Sequence, residues 1–262
     1  MKDITSQWSI HSRVYFMCYN YNLLIYDNFQ EFQNTFDATF IENTIPTELK
    51  DHYYVNSFSI PKLPVITNED TKHFQMYYWG LIPFWVKKPV DADKIRIRTM
   101  NARSETLFDK PSFRHSIRNK RCLIPACGFF EWRYVLGRNY PYYIFLKDRK
   151  YFSFAGIWDN WHNNENDETV YTYSIITCDS NKLLSKIHNK KKRMPVILPR
   201  DIERGWLDNT LSEDEIKGYL KPYPDSEMKA HTISRLVTSN TENRNVARVI
   251  EPFNYSELKG ME

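Results

Sequence analysis

Four aromatic and β-branched segments follow one another in the middle of the chain and narrow its fold more than any other feature: RCLIPACGFFEWR (121–133), YPYYIFL (140–146), YFSFAGIW (151–158) and TVYTYSIITC (169–178). Such residue types suit a pleated, half-buried surface. The stretches between them, from Leu136 to Asn139 and the polar WHNNENDE, carry turn chemistry. Strands this close in sequence pair by folding back on one another, which predicts a curved, largely antiparallel sheet. Helices are expected around it. Phe29, Phe32, Phe36 and Phe40 recur at helical spacing and form one core-facing stripe. Leu183, Leu184 and Ile187 suggest a short helix capped by Asp179 or Ser180, and Ser212 with Glu215 reads as a capping box for another. Strand-like text returns in HTISRLV (231–237), followed by a polar turn region and VARVIEPF. The fold class is therefore α+β.

A chain of 262 residues, 42% hydrophobic and 16% aromatic, buries one substantial core as a single larger domain or two small ones, and no low-complexity tract or long linker marks a split. Its net charge of +4 permits a nucleic-acid partner without demanding one. Four cysteines, Cys18, Cys122, Cys127 and Cys178, have neither the density nor the spacing of a disulfide-stapled secreted domain, so a reducing, cytoplasmic setting is expected. Cys122 and Cys127 lack the partner pair a zinc site needs and read as small buried hydrophobes. No metal or other cofactor is expected. No apolar run approaches the roughly 18 residues that span a bilayer, and MKDITSQWSIHSRVYF, residues 1–16, lacks a signal peptide's apolar region.

Four short segments set polar, reactive residues among ones that should be buried: Met17-Cys18, TMNARSET, GFFEW and HNKKKRMP. Glu131 is the most informative, because a carboxylate between strand aromatics is costly to bury without partners or work to do; otherwise it is an outward-facing strand position. His188 near the end of its helix is a weaker signal. Arg103, Lys190 to Lys192 and Arg193 offer cations for phosphates, and Trp79, Trp85 and Trp132 offer rings for base stacking. Most such cations are merely solvated, and most tryptophans are core.

Taken in order, WGLIPFW (79–85), NARSET (101–106), RCLIPACGFFEW (121–132), FAGIWDNW (154–161), YSIITCDSN (173–181) and IH…RMPVIL (187–198) resemble the SRAP family, the SOS response-associated peptidases that process abasic sites. The resemblance runs from Met17 to about Phe253. It implies one SRAP domain over residues 17–262, with a β-barrel-like core and a basic groove for single-stranded DNA, acting as a monomer with no membrane partner and nucleoid-associated when bound to damaged DNA. It also implies that Cys18, once N-terminal, condenses with the ring-opened abasic sugar to give a reversible thiazolidine crosslink. By the same resemblance Asn101 hydrogen-bonds near the aldehyde carbon or the ring, and Arg103 holds an adjacent phosphate. Glu131 is the general acid/base, His188 moves protons during ring opening and closure, and Trp79, Trp85 and Trp132 wedge against or stack on bases. The alternatives are a thiol peptidase built on Cys18 or another cysteine, and a module that binds single strands without covalent chemistry.

Three departures bear on this. The family commonly begins MCGR, where this chain reads Met17-Cys18-Tyr19-Asn20, so the phosphate contact of that arginine is absent or supplied elsewhere. Lysines are inserted between His188 and Arg193, which lengthens that loop. Residues 1–16 precede Met17, so the reaction requires either that Met17 is the working initiator or that the chain is trimmed before Cys18.

Overall fold

The computed structural model describes residues 19–41 and 50–260; Met17 and Cys18 lie outside them. Along the chain run β1 (Asn20–Leu23), α1 (Phe29–Phe36), β2 (His52–Asn56), β3 (Lys62–Thr67), β4 (Gln75–Trp79), α2 (Pro89–Arg96), β5 (Asn101–Arg103), α3 (Arg114–Asn119) and β6 (Arg121–Ala126). There follow β7 (Gly128–Val135), β8 (Arg138–Leu146), β9 (Phe152–Asn163), β10 (Glu168–Asp179), α4 (Lys182–Ile187), β11 (Arg193–Pro195), β12 (Ile197–Leu198), α5 (Glu213–Tyr219) and β13 (Met228–Thr232). Among the described residues no helix is long and apolar enough to cross a membrane.

The architecture is α+β, as the sequence predicts. Strands β3, β4, β10, β9 and β6 pair in that order, and β6 returns to β3, so the ring closes into a five-stranded barrel. Closure removes the open edges that invite aggregation. A second sheet runs β13-β8-β7-β1-β2. Both are antiparallel except where β4 and β5 lie parallel to β10. The sheets meet through Tyr21 of β1, whose ring lies 5.2 Å from Trp79 and 5.8 Å from Phe154 and whose hydroxyl is 3.2 Å from that of Tyr173.

The segment 121–133 is not one strand. It breaks at Cys127, so β6 stays in the barrel while β7 joins the second sheet. The crossing requires a glycine at 128, because a Cβ there would lie 2.4 Å from the Tyr143 ring. Between β7 and β8 the turn is only Leu136-Gly137, both at positive φ, the geometry that matches strand twist in a two-residue hairpin. Half of WHNNENDE proves to be strand: β9 continues to Asn163, with Trp161 buried and paired to Val170.

HTISRLV is strand only to Thr232; Arg235–Thr238 turns into a 3-10 helix capped by Ser234, which lets Leu236 and Val237 pack beside Phe130. VARVIEPF likewise forms a 3-10 turn over Ala247–Ile250. The Phe29–Phe40 stripe does pack together, with Phe32 and Phe36 buried, and the Ser212–Glu215 capping box is present. Helix α4 is capped by Asn181 instead of Asp179 or Ser180: its amide oxygen accepts from Leu184 N at 2.9 Å, while Asp179 remains in β10.

Candidate active site

β7 and the end of α4 bring together the two titratable residues singled out from sequence. Glu131, paired across the sheet with Tyr142, is 1% exposed and so is not an outward-facing strand position. His188, the residue that ends α4, is 4% exposed. Its Nδ1 lies 3.6 Å from Glu131 Oε1 and 3.0 Å from the carbonyl oxygen of Arg193. A carbonyl can only accept, so Nδ1 carries a proton and, in the neutral ring, Nε2 is the basic atom. The 3.6 Å separation is too long for a hydrogen bond but close enough for strong mutual electrostatics in a buried setting.

The inserted lysines form a compact turn that folds back on the histidine. Lys191 N and Lys192 N both donate to His188 O, at 3.1 and 2.7 Å, and Lys192 adopts positive φ. Asn189, unremarked in the sequence, clamps the turn to β7: its Oδ1 accepts from Tyr134 N at 3.0 Å and its Nδ2 donates to Tyr134 O at 2.8 Å. Lys190 Nζ sits 3.3 Å from the centre of the Tyr134 ring, a cation–π contact.

β5 and β11 flank β10 at Thr177, which pairs with Arg103 on one edge and Pro195 on the other. Asn101 is buried at the start of β5 and Arg103 is exposed at its end. Arg193 ties this region to the histidine. It forms a bidentate pair with Glu105, donates to Asp179 Oδ1 at 3.0 Å and to Thr177 O at 2.7 Å, and its own carbonyl holds His188. Burial works against the Glu105 carboxylate, but the guanidinium outweighs it and holds the carboxyl below its usual range. Arg193 was expected to meet a phosphate. In this structure its guanidinium pairs with Glu105 and Asp179, and its carbonyl oxygen meets the histidine ring. Sequence gave no sign of this clamp, although Glu105 stands in NARSET.

The three tryptophans separate by burial. Trp79 is 0% exposed and its Nε1–H donates to Met100 O at 2.8 Å, so it presents no ring face to a base and is a core residue. Trp132 is half-buried against Phe130 and its neighbours. Trp85 is 45% exposed, on a turn held by Asp159, which accepts from Phe84 N at 2.9 Å and binds Lys120 through its other oxygen. Trp79→Ala is expected to cost about 3–5 kcal/mol of stability, and Trp85→Ala less than about 0.5 kcal/mol. Urea unfolding of the two variants checks this; equal losses would contradict it.

Cys122, Cys127 and Cys178 are free thiols, all buried. Burial pushes Cys127 and Cys178 up to about 12 and Cys122 well above its usual value. Burial therefore favours the protonated thiol at all three positions, away from the thiolate that attacks.

The chain is similar to known proteins over most of its length. A family model described as SOS response associated peptidase (SRAP) matches residues 17–240. The abasic site processing protein YoqW of Bacillus subtilis is 36% identical over 217 residues, covering 82% of this chain and 93% of that protein. The abasic site processing protein HMCES of Xenopus tropicalis is 34% identical over 185 residues, 63% of this chain and 53% of that protein. A crystal structure from Bacteroides thetaiotaomicron superposes with a TM-score of 0.83 at 37% identity, covering 90% of this chain and all of the other. With its barrel and a match from Met17 to Asn240, the chain belongs to the SRAP family.

Proposed function

We propose that this protein processes abasic sites by binding single-stranded DNA and capturing the ring-opened sugar covalently through an N-terminal Cys18. The observation that carries the reading is the buried Glu131–His188 pair, 3.6 Å apart, in a chain whose relatives are named abasic site processing proteins. The chemistry needs an amine and a thiol on one residue. The α-amine attacks the C1 aldehyde, the carbinolamine loses water to give an imine, and the thiol adds across C=N: sulfur bonds carbon and nitrogen regains a proton. Aldehyde and aminothiol thus become thiazolidine and water, with no oxidant or metal in the balance.

Two steps need a proton donor or acceptor: opening of the sugar ring, which precedes the attack, and dehydration of the carbinolamine. A carboxyl at Glu131 serves the departing hydroxyl, and the basic Nε2 of His188 serves the sugar oxygen. Asn101 orients the sugar, and Arg103, exposed at the end of β5, holds a neighbouring phosphate. Trp85 and the partly buried Trp132 supply ring surface for unpaired bases. The buried state of the other described cysteines favours Cys18 as the nucleophile whether the bond formed is to sugar or to peptide.

The test is a titration of abasic single-stranded and duplex oligonucleotides at several salt concentrations. The single strand should bind more tightly. Arg103→Ala should weaken binding to all sequences and lower the log–log salt slope by about 0.7, one phosphate contact. Equal affinity for intact duplex would contradict the proposed binding mode, and an unchanged slope would remove Arg103 from it.

A further inference from the structure

We infer that Asn189 is a positioning residue: by pairing with the edge of β7 it sets how His188 meets Glu131, and through them the rate of proton transfer. The inference rests on the function proposed above. Three consecutive residues wrap the strand. His188 Nδ1 stands 3.6 Å from Glu131 Oε1. The Asn189 side chain accepts from Tyr134 N at 3.0 Å and donates to Tyr134 O at 2.8 Å. Lys190 Nζ lies 3.3 Å from the centre of the Tyr134 ring. Successive strand residues point to opposite faces, so Glu131 and Tyr134 lie on opposite faces of β7. The turn therefore meets one face through His188, the edge through Asn189 and the other face through Lys190.

Strand geometry explains why an asparagine fits this edge. Val135 and Arg138 flank the turn Leu136-Gly137, and in a two-residue hairpin they are the pair that exchanges both main-chain hydrogen bonds. Pairs alternate along an antiparallel ladder, so the next one, Tyr134 with Asn139, leaves Tyr134 N–H and C=O pointing away from β8. β1 covers that edge of β7 farther back, at Gly128 and Phe129. A side-chain amide carries both an acceptor and donors, and so stands in for a peptide group of a neighbouring strand. A carboxylate of the same shape could accept from Tyr134 N but could not donate to Tyr134 O.

The turn is tied at both ends as well. His188 N donates to Leu184 O at 2.7 Å, which fixes it to the last turn of α4, and Ser180 N donates to Lys192 O at 3.0 Å, which returns the loop to the end of β10. Asn189 sits between these ties and anchors the turn to a strand position three residues from Glu131. Loss of that anchor lets the imidazole shift relative to the carboxylate, and a misplacement of about 1 Å can cost about 10²-fold in rate.

The experiment measures single-turnover adduct formation on abasic single strands at saturating DNA, with Cys18 N-terminal, alongside affinity for a base-complete strand and thermal melting. Asn189 is half-buried in a turn, outside the core, so its replacement should leave the fold intact. Asn189→Ala should slow adduct formation about tenfold and leave affinity within about twofold of wild type. Asn189→Asp, which lacks the donor, should be no faster than Asn189→Ala. A cycle with His188→Ala separates positioning from a general structural role: in that background Asn189→Ala should cost less than about twofold, because the side chain it positions is gone. A wild-type rate in either Asn189 variant overturns the proposal, as does an equal loss with and without His188, or a loss confined to DNA affinity. Wild-type protein that forms no adduct, with Cys18 verified as its first residue, would instead overturn the underlying function, before any variant is compared.

Discussion

Glu131→Gln is expected to slow adduct formation on abasic single strands by about 10²- to 10⁴-fold, the range for a lost general acid/base, with DNA affinity close to wild type. The amide matches the carboxyl in shape and remains in register with Tyr142, so the strand should be undisturbed. What it cannot do is exchange a proton with the carbinolamine. His188→Ala should also slow the reaction, and it exposes Arg193 O to the loss of its ring N–H. Since the two side chains lie 3.6 Å apart, their effects should be non-additive, with the double variant little slower than the worse single one. Single-turnover adduct formation at saturating DNA, resolved by denaturing electrophoresis, reads this directly, and thermal melting confirms that each variant is folded. Wild-type rates in both single variants would remove the pair from the chemistry.

The proposed Glu131–His188 pair could be picked out because its signal is local. A glutamate inside GFFEW is anomalous only if both faces of the strand are covered, and here they are: Phe129, Phe130 and Glu131 are all buried. The ion pairs of Arg193 were not legible because one partner is remote. Glu105 is 88 residues away in sequence, and only the placement of β5 and β11 on either edge of β10 brings the two together. Trp79 and Trp85 share one motif and one residue type; only the end of β4 at Trp79 decides that one ring enters the core and the other stays on a turn.

The fold shows the same division. Hairpin β7–β8 announces itself through Gly137. The break at Cys127 does not, because the apolar run continues through it and the change of sheet is set by Tyr143 closing over Gly128. Barrel closure rests on the parallel pairing of Thr172 with Tyr78, a contact that no local pattern encodes.

Protein whose chain begins at Cys18 is expected to crosslink abasic DNA, whereas protein that retains residues 1–17 should bind the same DNA and form no stable adduct. The difference lies in one nitrogen. An α-amine has a pKa near 7.7–8.0 against about 10.4 for lysine, so at neutral pH its nucleophilic fraction is roughly a few hundredfold larger. Inside a peptide bond the same nitrogen is resonance-locked and does not attack carbonyls. Only a terminal cysteine also places its thiol for five-membered ring closure, an intramolecular step that gains from proximity. Cys18→Ala in the short chain should lose the thiazolidine yet leave a labile imine that borohydride traps.

The decisive measurement is denaturing electrophoresis of both chains after incubation with abasic single-stranded DNA, with intact mass establishing each N-terminus before and after. The account predicts a stable covalent band only where Cys18 is the first residue. A verified chain from Met1 that crosslinks equally well, without cleavage before Cys18, would contradict it and require an internal nucleophile.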